Sequence, residues 1–342
     1  MSGPNAAMPT LDRNGQVSLQ DSRRPRTLTR RRVIGGLAGG LLAGAVLALP
    51  VSPPPEQLDR AKVKPMNFNA FSDAAPSQPL RLLFIHHSCG GQWLATPGPD
   101  DGENCIYRTA VNGGGLRDAL TGAGYSVHEA SYGSRLGAAT DVPDWPEKFR
   151  RQMDDVLRCD RQDTPYSDSG CNDIVVFKSC FTQSLFVAAD APSGNGGGWR
   201  LTVANAKDAY RELLPEFRKR PETLFVAVTA PPIARSVEPL YKAVAKRLLR
   251  RGDVTASGPL AREFNNWLTD AKNGWLADYD ATNVAVFDLY DLLTDNGESN
   301  FSKYPTGRRG EDSHPNAAGN RRATAAFVPF LNQAVRRAGL CN

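Results

Sequence analysis

The fold is decided by one stretch of the sequence, Leu80-Arg81-Leu82-Leu83-Phe84-Ile85-His86-His87-Ser88-Cys89-Gly90-Gly91, in which an apolar run stops abruptly at small and polar residues. A short continuous apolar run of this kind predicts a strand that is buried on both faces of a sheet. Similar runs recur along the chain. The predicted strands are Leu80–His86, Ser126–Tyr132, Asp173–Lys178, Thr223–Thr229 and Asn283–Tyr290.

Helical patterns separate these strands. The predicted helices are Leu116–Ala123, Trp145–Leu157, Val203–Arg218, Leu260–Ala271 and Ala317–Ala338. Five strands with interleaved helices predict an α/β fold with a doubly wound, mainly parallel sheet. Ligands of such sheets bind at the carboxyl ends of the strands, so the residues after each strand are the candidates for function.

The charge of the chain is unevenly distributed. Among its 342 residues are 41 Lys and Arg and 36 Asp and Glu, but the first 50 residues hold seven Arg and two acidic residues. From residue 51 onward there are 34 basic and 34 acidic residues, which does not favour a nucleic-acid partner. The 41% hydrophobic content argues against a disordered chain and a multi-span membrane protein.

The basic excess precedes an apolar segment. Thr29-Arg30-Arg31-Arg32 is followed by an uncharged Gly-, Ala- and Leu-rich run that ends near Leu49. Residues 1–49 resemble a twin-arginine export signal, with Val46 and Ala48 suited to a peptidase site, and an uncleaved signal anchor is the alternative. Either interpretation predicts export to the periplasm or the outside of the cell, with membrane contact only through this segment.

The export signal leads into a Pro-rich stretch. Residues 50–79 contain seven prolines and little apolar periodicity, which predicts an extended linker. The remaining residues, 80–342, are sufficient for one α/β domain.

Six cysteines agree with an oxidising compartment. Cys159 and Cys171 bracket a polar loop and are the expected local disulfide, whereas Cys89 and Cys180 would meet if their strands are neighbours. No CxxC or Cys/His spacing predicts a zinc site, and we expect neither a metal nor a cofactor.

Two segments carry residues with catalytic chemistry. The first strand ends in His86-His87-Ser88, and Gly310-Glu311-Asp312-Ser313-His314-Pro315-Asn316 precedes the terminal helix. A carboxylate two or three residues before a histidine can orient the imidazole ring, and an oriented imidazole can activate a serine hydroxyl.

In these two segments the chain resembles the SGNH, or GDSL-type, hydrolases, as a divergent member with His-His-Ser in place of Gly-Asp-Ser. The resemblance implies a flavodoxin-like three-layer α/β/α sandwich and ester chemistry. It makes Ser88 the nucleophile and His314 the general base. The family's Asp-x-x-His spacing favours Glu311 as the orienting acid, with Asp312 as the alternative.

The resemblance is incomplete at the oxyanion hole. The family uses the N–H of the nucleophile, a Gly after the second strand and an Asn after the third. Gly137 is the preferred match for the Gly, and Gly133 is the alternative. Phe177-Lys178-Ser179-Cys180-Phe181-Thr182-Gln183 follows the third strand without an Asn, so Ser179, Thr182 or Gln183 would have to donate instead, or that donor is absent.

Other residues have structural interpretations. His86 and His128 are expected to be structural, and His87 to shape the pocket of the nucleophile. Lys178 either extends to solvent or adds positive charge to the site. Trp93 and Trp199 could stack on sugar rings, and the basic stretch from Lys242 to Arg251 is expected to be the solvated face of a helix.

Taken together, the sequence predicts an exported serine esterase that hydrolyses an O-acyl ester on an acylated small molecule, a polysaccharide or a cell-envelope polymer. Two alternatives use the same fold: an O-acyltransferase with the same nucleophile, and an inactive binding protein. The sequence does not define an oligomeric state.

Overall fold

The computed structural model describes residues 63–190, 200–235 and 254–341. The predicted export signal, residues 50–62 of the predicted linker, Trp199 and the basic stretch from Lys242 to Arg251 lie outside these ranges. Within them, no helix is long and apolar enough to cross a membrane.

The strands, numbered along the chain, are β1 (Leu80–Ile85), β2 (Thr96–Pro97), β3 (Asp101–Glu103), β4 (Ile106–Ala110), β5 (Tyr125–Ala130), β6 (Cys159–Arg161), β7 (Thr164–Pro165), β8 (Ile174–Lys178), β9 (Leu224–Val228), β10 (Val284–Phe287), β11 (Pro305–Thr306) and β12 (Asp312–Pro315).

The helices are α1 (Ser88–Leu94), α2 (Leu116–Gly122), α3 (Arg135–Ala138), α4 (Asp144–Arg151), α5 (Met153–Arg158), α6 (Val203–Arg211), α7 (Leu213–Arg218), α8 (Val254–Thr269), α9 (Leu289–Leu293) and α10 (Ala317–Arg337). A 3₁₀ turn spans Phe181–Ser184.

The main sheet has the strand order β10-β9-β8-β1-β5-β6-β7, and all its pairs are parallel except β6 with β7. Its five long strands are the five predicted ones, in the order 2-1-3-4-5 of flavodoxin-like sheets. The α/β class and the mainly parallel sheet are therefore confirmed. The predicted strand number was too low, because β6 and β7 are short, polar edge strands without an apolar run.

Alternate residues of each central strand pack against opposite helical layers. Leu82 and Phe84 of β1 lie in a core with α1, α2 and α10, whereas Leu83 and Ile85 lie in a second core with α4 to α8. This period of two is a direct consequence of strand geometry. Both faces of the sheet are thus covered, which explains why β1, β8, β9 and β10 consist largely of apolar residues.

Two predicted helices are each divided in the structure. Trp145–Leu157 is interrupted at Gln152, and Val203–Arg218 is interrupted at Glu212. Pro215 explains the second break, because its missing N–H cannot bond to the carbonyl of Arg211 four residues earlier.

The described part of the predicted linker is packed against the domain. Phe68 is 7% exposed and its ring contacts Phe330 of α10 edge-on at 5.2 Å. Arg336 of the same helix donates hydrogen bonds to the carbonyls of Ala74 and Ala75. The prediction of an extended linker is therefore wrong for residues 63–79, because one aromatic side chain and a set of backbone acceptors fix the segment to α10.

Candidate active site

The site lies at the carboxyl ends of β1 and β8, where the chain order reverses. From β1 the chain continues to β5 on one side, whereas β8 lies on the other side of β1 and leads to β9. The crevice between two such strands is the usual ligand site of an open α/β sheet. Ser88 follows β1 and Cys180 follows β8, so the topology brings these two residues together.

Ser88 is the first residue of α1 and contacts a histidine from the far end of the chain. The N-cap position of this helix is occupied by His87 and not by Ser88, and no side chain caps the helix. The Ser88 hydroxyl is therefore not a helix cap. The Ser88 Oγ lies 2.9 Å from His314 Nε2. This distance is within hydrogen-bond range, and it joins residues that are 226 positions apart.

The carboxylate beside His314 is Asp312, whose Oδ1 lies 2.7 Å from His314 Nδ1. Glu311 instead accepts a hydrogen bond from the backbone N–H of Arg309 at 2.7 Å. The preference for Glu311 was therefore wrong. Asp312 and His314 are two residues apart in β12 and share a face of that strand, whereas Glu311 precedes the strand.

The electrostatics of Asp312 suit an orienting role. Partial burial opposes ionisation, but hydrogen bonds from the backbone N–H and the ring of His314 hold the pKa of Asp312 below its usual value. An ionised Asp312 accepts a hydrogen bond from the Nδ1–H of His314, which leaves the lone pair of Nε2 directed at Ser88. The N-cap of α10 is Asn316, whose side chain accepts hydrogen bonds from the N–H groups of Ala318 and Gly319, so Asp312 is not needed as a helix cap.

The cleft around these residues has a volume of about 360 Å³. Its lining residues are His87, Ser88, Tyr132, Ala138, Thr140, Asp141, Asp144, Cys180, Phe181, Thr182 and His314. No lysine or arginine is among them. Asp141 and Asp144 are the two carboxylates on its wall. The pKa of Asp141 is raised, mainly by burial and to a smaller extent by the charge of Asp144.

His87 connects the loops after β1 and β5. Its Nε2–H donates to the carbonyl of Gly137 at 2.8 Å, its Nδ1 accepts from the Thr140 hydroxyl at 3.0 Å, and its ring stacks on Tyr132 at 3.6 Å. Burial lowers the pKa of His87, and a neutral ring satisfies both hydrogen bonds. The predicted pocket-shaping role agrees with these contacts.

Gly137 does not offer its N–H to the cleft, because that N–H donates to the Ser134 hydroxyl at 2.8 Å. A Cβ at Gly137 would lie 2.1 to 2.4 Å from backbone atoms of Ser131, so this glycine permits close packing. Gly133 occupies a left-handed turn with φ of +83° beside Asn104.

The side chains predicted to replace the missing Asn also differ from expectation. The Ser179 hydroxyl donates to the Thr140 carbonyl and accepts from Trp145, and Gln183 accepts from the N–H of Val142. Among the five predicted oxyanion residues, Thr182 is the one that lines the cleft. Cys180, which the sequence reasoning passed over as a donor, lies beside Ser88, with its Sγ 3.5 Å from the Ser88 Oγ.

Two buried basic side chains support this region. His86 is fully buried, with Nδ1 2.9 Å from the carbonyl of His87 and Nε2 3.2 Å from Glu129, which also pairs with Arg117. The expectation that His86 is structural agrees with these contacts. Lys178 is 1% exposed and donates to the Ser179 carbonyl at 3.2 Å, so it does not extend to solvent.

A second Ser–His–Asp arrangement occurs outside the cleft. The Ser126 Oγ lies 2.9 Å from His128 Nε2, and His128 Nδ1 lies 2.7 Å from Asp160. These distances match those at Ser88, but Ser126 is exposed on β5 and is not a cleft residue.

Trp93 is not available to a ligand, because it is 1% exposed and packs against Phe84 and Phe327. The sugar-stacking prediction was wrong for this residue.

No disulfide bond links the cysteines in the described residues, and all six are free. The expected Cys159–Cys171 bridge is not formed: the Cys159 thiol donates to the carbonyl of Gln162, and Cys171 is exposed. Cys89 and Cys180 do meet, as the sequence allowed. No group of three or more potential metal ligands occurs in the described ranges.

No family profile and no curated protein matches the chain. Solved structures do match it. An acetylxylan esterase from Geobacillus stearothermophilus is 13% identical, with 78% of this chain and 96% of that chain covered and a TM-score of 0.38. A carbohydrate esterase family 2 enzyme with a carbohydrate-binding domain, from Corynascus thermopiles, is 17% identical, with 78% and 68% covered and a TM-score of 0.37.

A lipase/acylhydrolase from Enterococcus faecalis is 13% identical, with 74% and 95% of the two chains covered and a TM-score of 0.36. At these sequence identities and TM-scores, the similarity does not assign a role to any residue of this chain. The roles of Ser88, His314 and Asp312 depend on the geometry described above.

Replacement of the two neighbouring acids separates their roles. We expect Asp312→Asn to lower kcat for a p-nitrophenyl ester by roughly 10⁴-fold, because the amide no longer holds His314 with its proton on Nδ1. Glu311→Gln, the matched control, is expected to stay within about twofold, since Glu311 is exposed and bonds to the Arg309 backbone. Steady-state kinetics of both purified variants decide the matter, and a larger loss in Glu311→Gln would contradict the assignment.

Proposed function

We propose that the protein is a serine esterase that hydrolyses an O-acyl ester. The observation that carries this proposal is the continuous hydrogen-bonded chain from Asp312 through His314 to Ser88, which ends in an open cleft. A serine hydroxyl is a weak nucleophile at neutral pH, and an oriented imidazole is the standard means of activating it.

In the proposed reaction, the Ser88 Oγ attacks the ester carbonyl while His314 Nε2 takes the hydroxyl proton. His314 then returns that proton to the leaving alcohol, which departs and leaves an acyl group on Ser88. Water attacks the acyl-enzyme with His314 again acting as base, and the carboxylic acid is released. Asp312 remains ionised throughout and stabilises the imidazolium that forms.

The lining of the cleft supports a proposal for the substrate class. With Asp141 and Asp144 on its wall and no lysine or arginine among its lining residues, the cleft favours uncharged over anionic esters. Together with the export signal predicted for residues 1–49, this favours O-acyl groups on uncharged carbohydrate or cell-envelope polymer. An alcohol that replaces water in the second half of the reaction would make the same site an acyltransferase.

The competing function is an inactive binding protein with the same cleft. It is favoured by one observation: the Gly137 N–H and the Ser179 hydroxyl, both predicted oxyanion donors, already have other partners. The proposed esterase would have to stabilise its oxyanion with the Ser88 N–H and Thr182. Loss of one such donor typically costs about 2.7–4 kcal/mol in the transition state.

A fluorophosphonate probe distinguishes the two functions. Treatment of the full chain, followed by peptide mass spectrometry, is expected to place the adduct on Ser88, because the probe reacts with serines that a base has activated. Ser88→Ala and His314→Ala should each abolish the adduct. Ser126 is the internal control, because its hydroxyl has the same distance to a histidine but lies outside the cleft. Absence of an adduct on folded protein would support the binding protein, and labelling of Ser126 instead would show that the site has been misassigned.

The acidic lining predicts a charge preference. We expect kcat/KM for an acetylated neutral oligosaccharide to exceed that for the corresponding acetylated uronic acid by roughly fivefold, the effect of about 1 kcal/mol of like-charge repulsion. Asp141→Asn should reduce this ratio. It is a cleaner variant than a change at Asp144, whose carboxylate also accepts the Asp141 N–H at 2.9 Å. Equal or faster hydrolysis of the anionic ester would contradict the proposed substrate class.

A further inference from the structure

Two cysteines meet directly beside the nucleophile. Cys89 follows Ser88 in α1, and Cys180 follows β8; their sulfur atoms are 3.3 Å apart. Cys89 is 2% exposed and Cys180 is 8% exposed. The Cys180 Sγ also lies 3.5 Å from the Ser88 Oγ, and Cys180 borders the cleft.

The two thiols differ in their chemistry. Hydrogen bonding from the Cys89 thiol, the charge of buried Lys178 and hydrogen bonding from Ser88 hold the pKa of Cys180 well below its usual value, against the effect of burial. Burial raises the pKa of Cys89. One sulfur at the cleft is therefore the better attacking group, and a second thiol in contact with it can resolve a mixed disulfide.

We propose that Cys89 and Cys180 form a reversible disulfide at the reaction centre, and that the oxidised protein is the more active state. The disulfide is argued from the contact of the two sulfur atoms at the edge of the cleft. Its effect on activity rests on the proposed esterase function. The oxidant is a disulfide of low molecular weight, such as oxidised glutathione, that reaches Cys180 through the cleft.

The exchange has two steps. The Cys180 thiolate attacks one sulfur of the small disulfide, which forms a mixed disulfide and releases one small thiolate. Cys89 gives up its proton to that thiolate and attacks the Cys180 sulfur, which releases the second small thiolate. Two protein sulfurs are thereby oxidised to a disulfide, and one small disulfide is reduced to one thiol and one thiolate, which takes a proton from water.

The reduced pair obstructs catalysis in two ways. The Cys180 sulfur competes with His314 for the single proton of the Ser88 hydroxyl, because both lie within reach of that oxygen. A negative sulfur at this distance also repels the oxyanion that develops on the substrate. A disulfide carries no charge and is a weak acceptor, so oxidation releases the Ser88 proton to His314.

The test equilibrates the full chain in glutathione buffers of increasing oxidised-to-reduced ratio. Thiol trapping and peptide mass spectrometry measure the fraction with a Cys89–Cys180 crosslink, and the same samples are assayed with p-nitrophenyl acetate. We expect the crosslinked fraction and the activity to rise together, with the oxidised state roughly tenfold or more faster than the reduced state.

Variants assign the effect to this pair. Cys89→Ala should abolish both the crosslink and the dependence on the buffer. Cys180→Ala should give redox-independent activity above that of the reduced wild type, because it removes the competing sulfur. Cys171→Ala is the control, since Cys171 is exposed and does not border the cleft. It should behave as the wild type.

The crosslink and the hydrolysis are separate readouts. Failure to detect the crosslink at any ratio would overturn the proposal whether or not the protein hydrolyses esters. A crosslink with unchanged or lower activity would overturn the activating role. A crosslink without hydrolysis in any buffer, together with an unlabelled Ser88, would overturn the esterase function and the activating role while confirming the disulfide.

Discussion

The parallel pairing of β1 with β8 is the constraint on which the rest of the site depends. In their register, Leu82 lies opposite Ile174 and Ile85 lies opposite Phe177, so the carboxyl ends of the two strands are side by side. Ser88 and Cys180 are 92 residues apart in the sequence. Ser88 is the third residue after the end of β1, and Cys180 is the second residue after the end of β8. Because both strands are buried on both faces, a one-residue shift in register would move each side chain into the opposite core, where the packing does not fit it.

The histidine reaches Ser88 by a different route. β12 pairs with β11 in a small separate sheet, and the Ser313 hydroxyl accepts a hydrogen bond from the N–H of Ala234 after β9. These contacts fix the segment before α10, in which His314 lies 2.9 Å from Ser88. Precise support of this kind is what an acid–base pair requires, because small displacements sharply reduce its efficiency.

Much of the fold could be predicted from local sequence, because β1, β8, β9 and β10 are apolar runs and helical patterns lie between the strands. The short elements could not be predicted. The β3–β4 pair turns at Asn104 and Cys105, both with positive φ, although this pair is not one of the usual turn sequences. Similarly, the packing of Phe68 on α10 depends on a contact across more than 250 residues, which no local pattern indicates.

The candidate site was predictable to the level of Ser88 and His314. Ser88 follows a strand of the main sheet, and the segment around His314 resembles the carboxylate-and-histidine segment of the SGNH hydrolases. The choice between Glu311 and Asp312 was decided by β12, which was not predicted as a strand, so the spacing argument selected the wrong acid. Cys180 was missed because cysteine was considered as a disulfide partner and not as a neighbour of the nucleophile. Its position after β8 was the signal that could have identified it.

The central claim is that Ser88 carries the acyl group between the two halves of the reaction. The most direct measurement is to mix the full chain with p-nitrophenyl acetate, quench with acid during turnover and locate the acetyl group by peptide mass spectrometry. The account predicts acetylation of Ser88 that rises to a steady level, and that persists longer in Asp312→Asn if deacylation slows more than acylation. Turnover with the acetyl group on another residue, or with no acetylated residue in a quench shown to preserve serine esters, would contradict it.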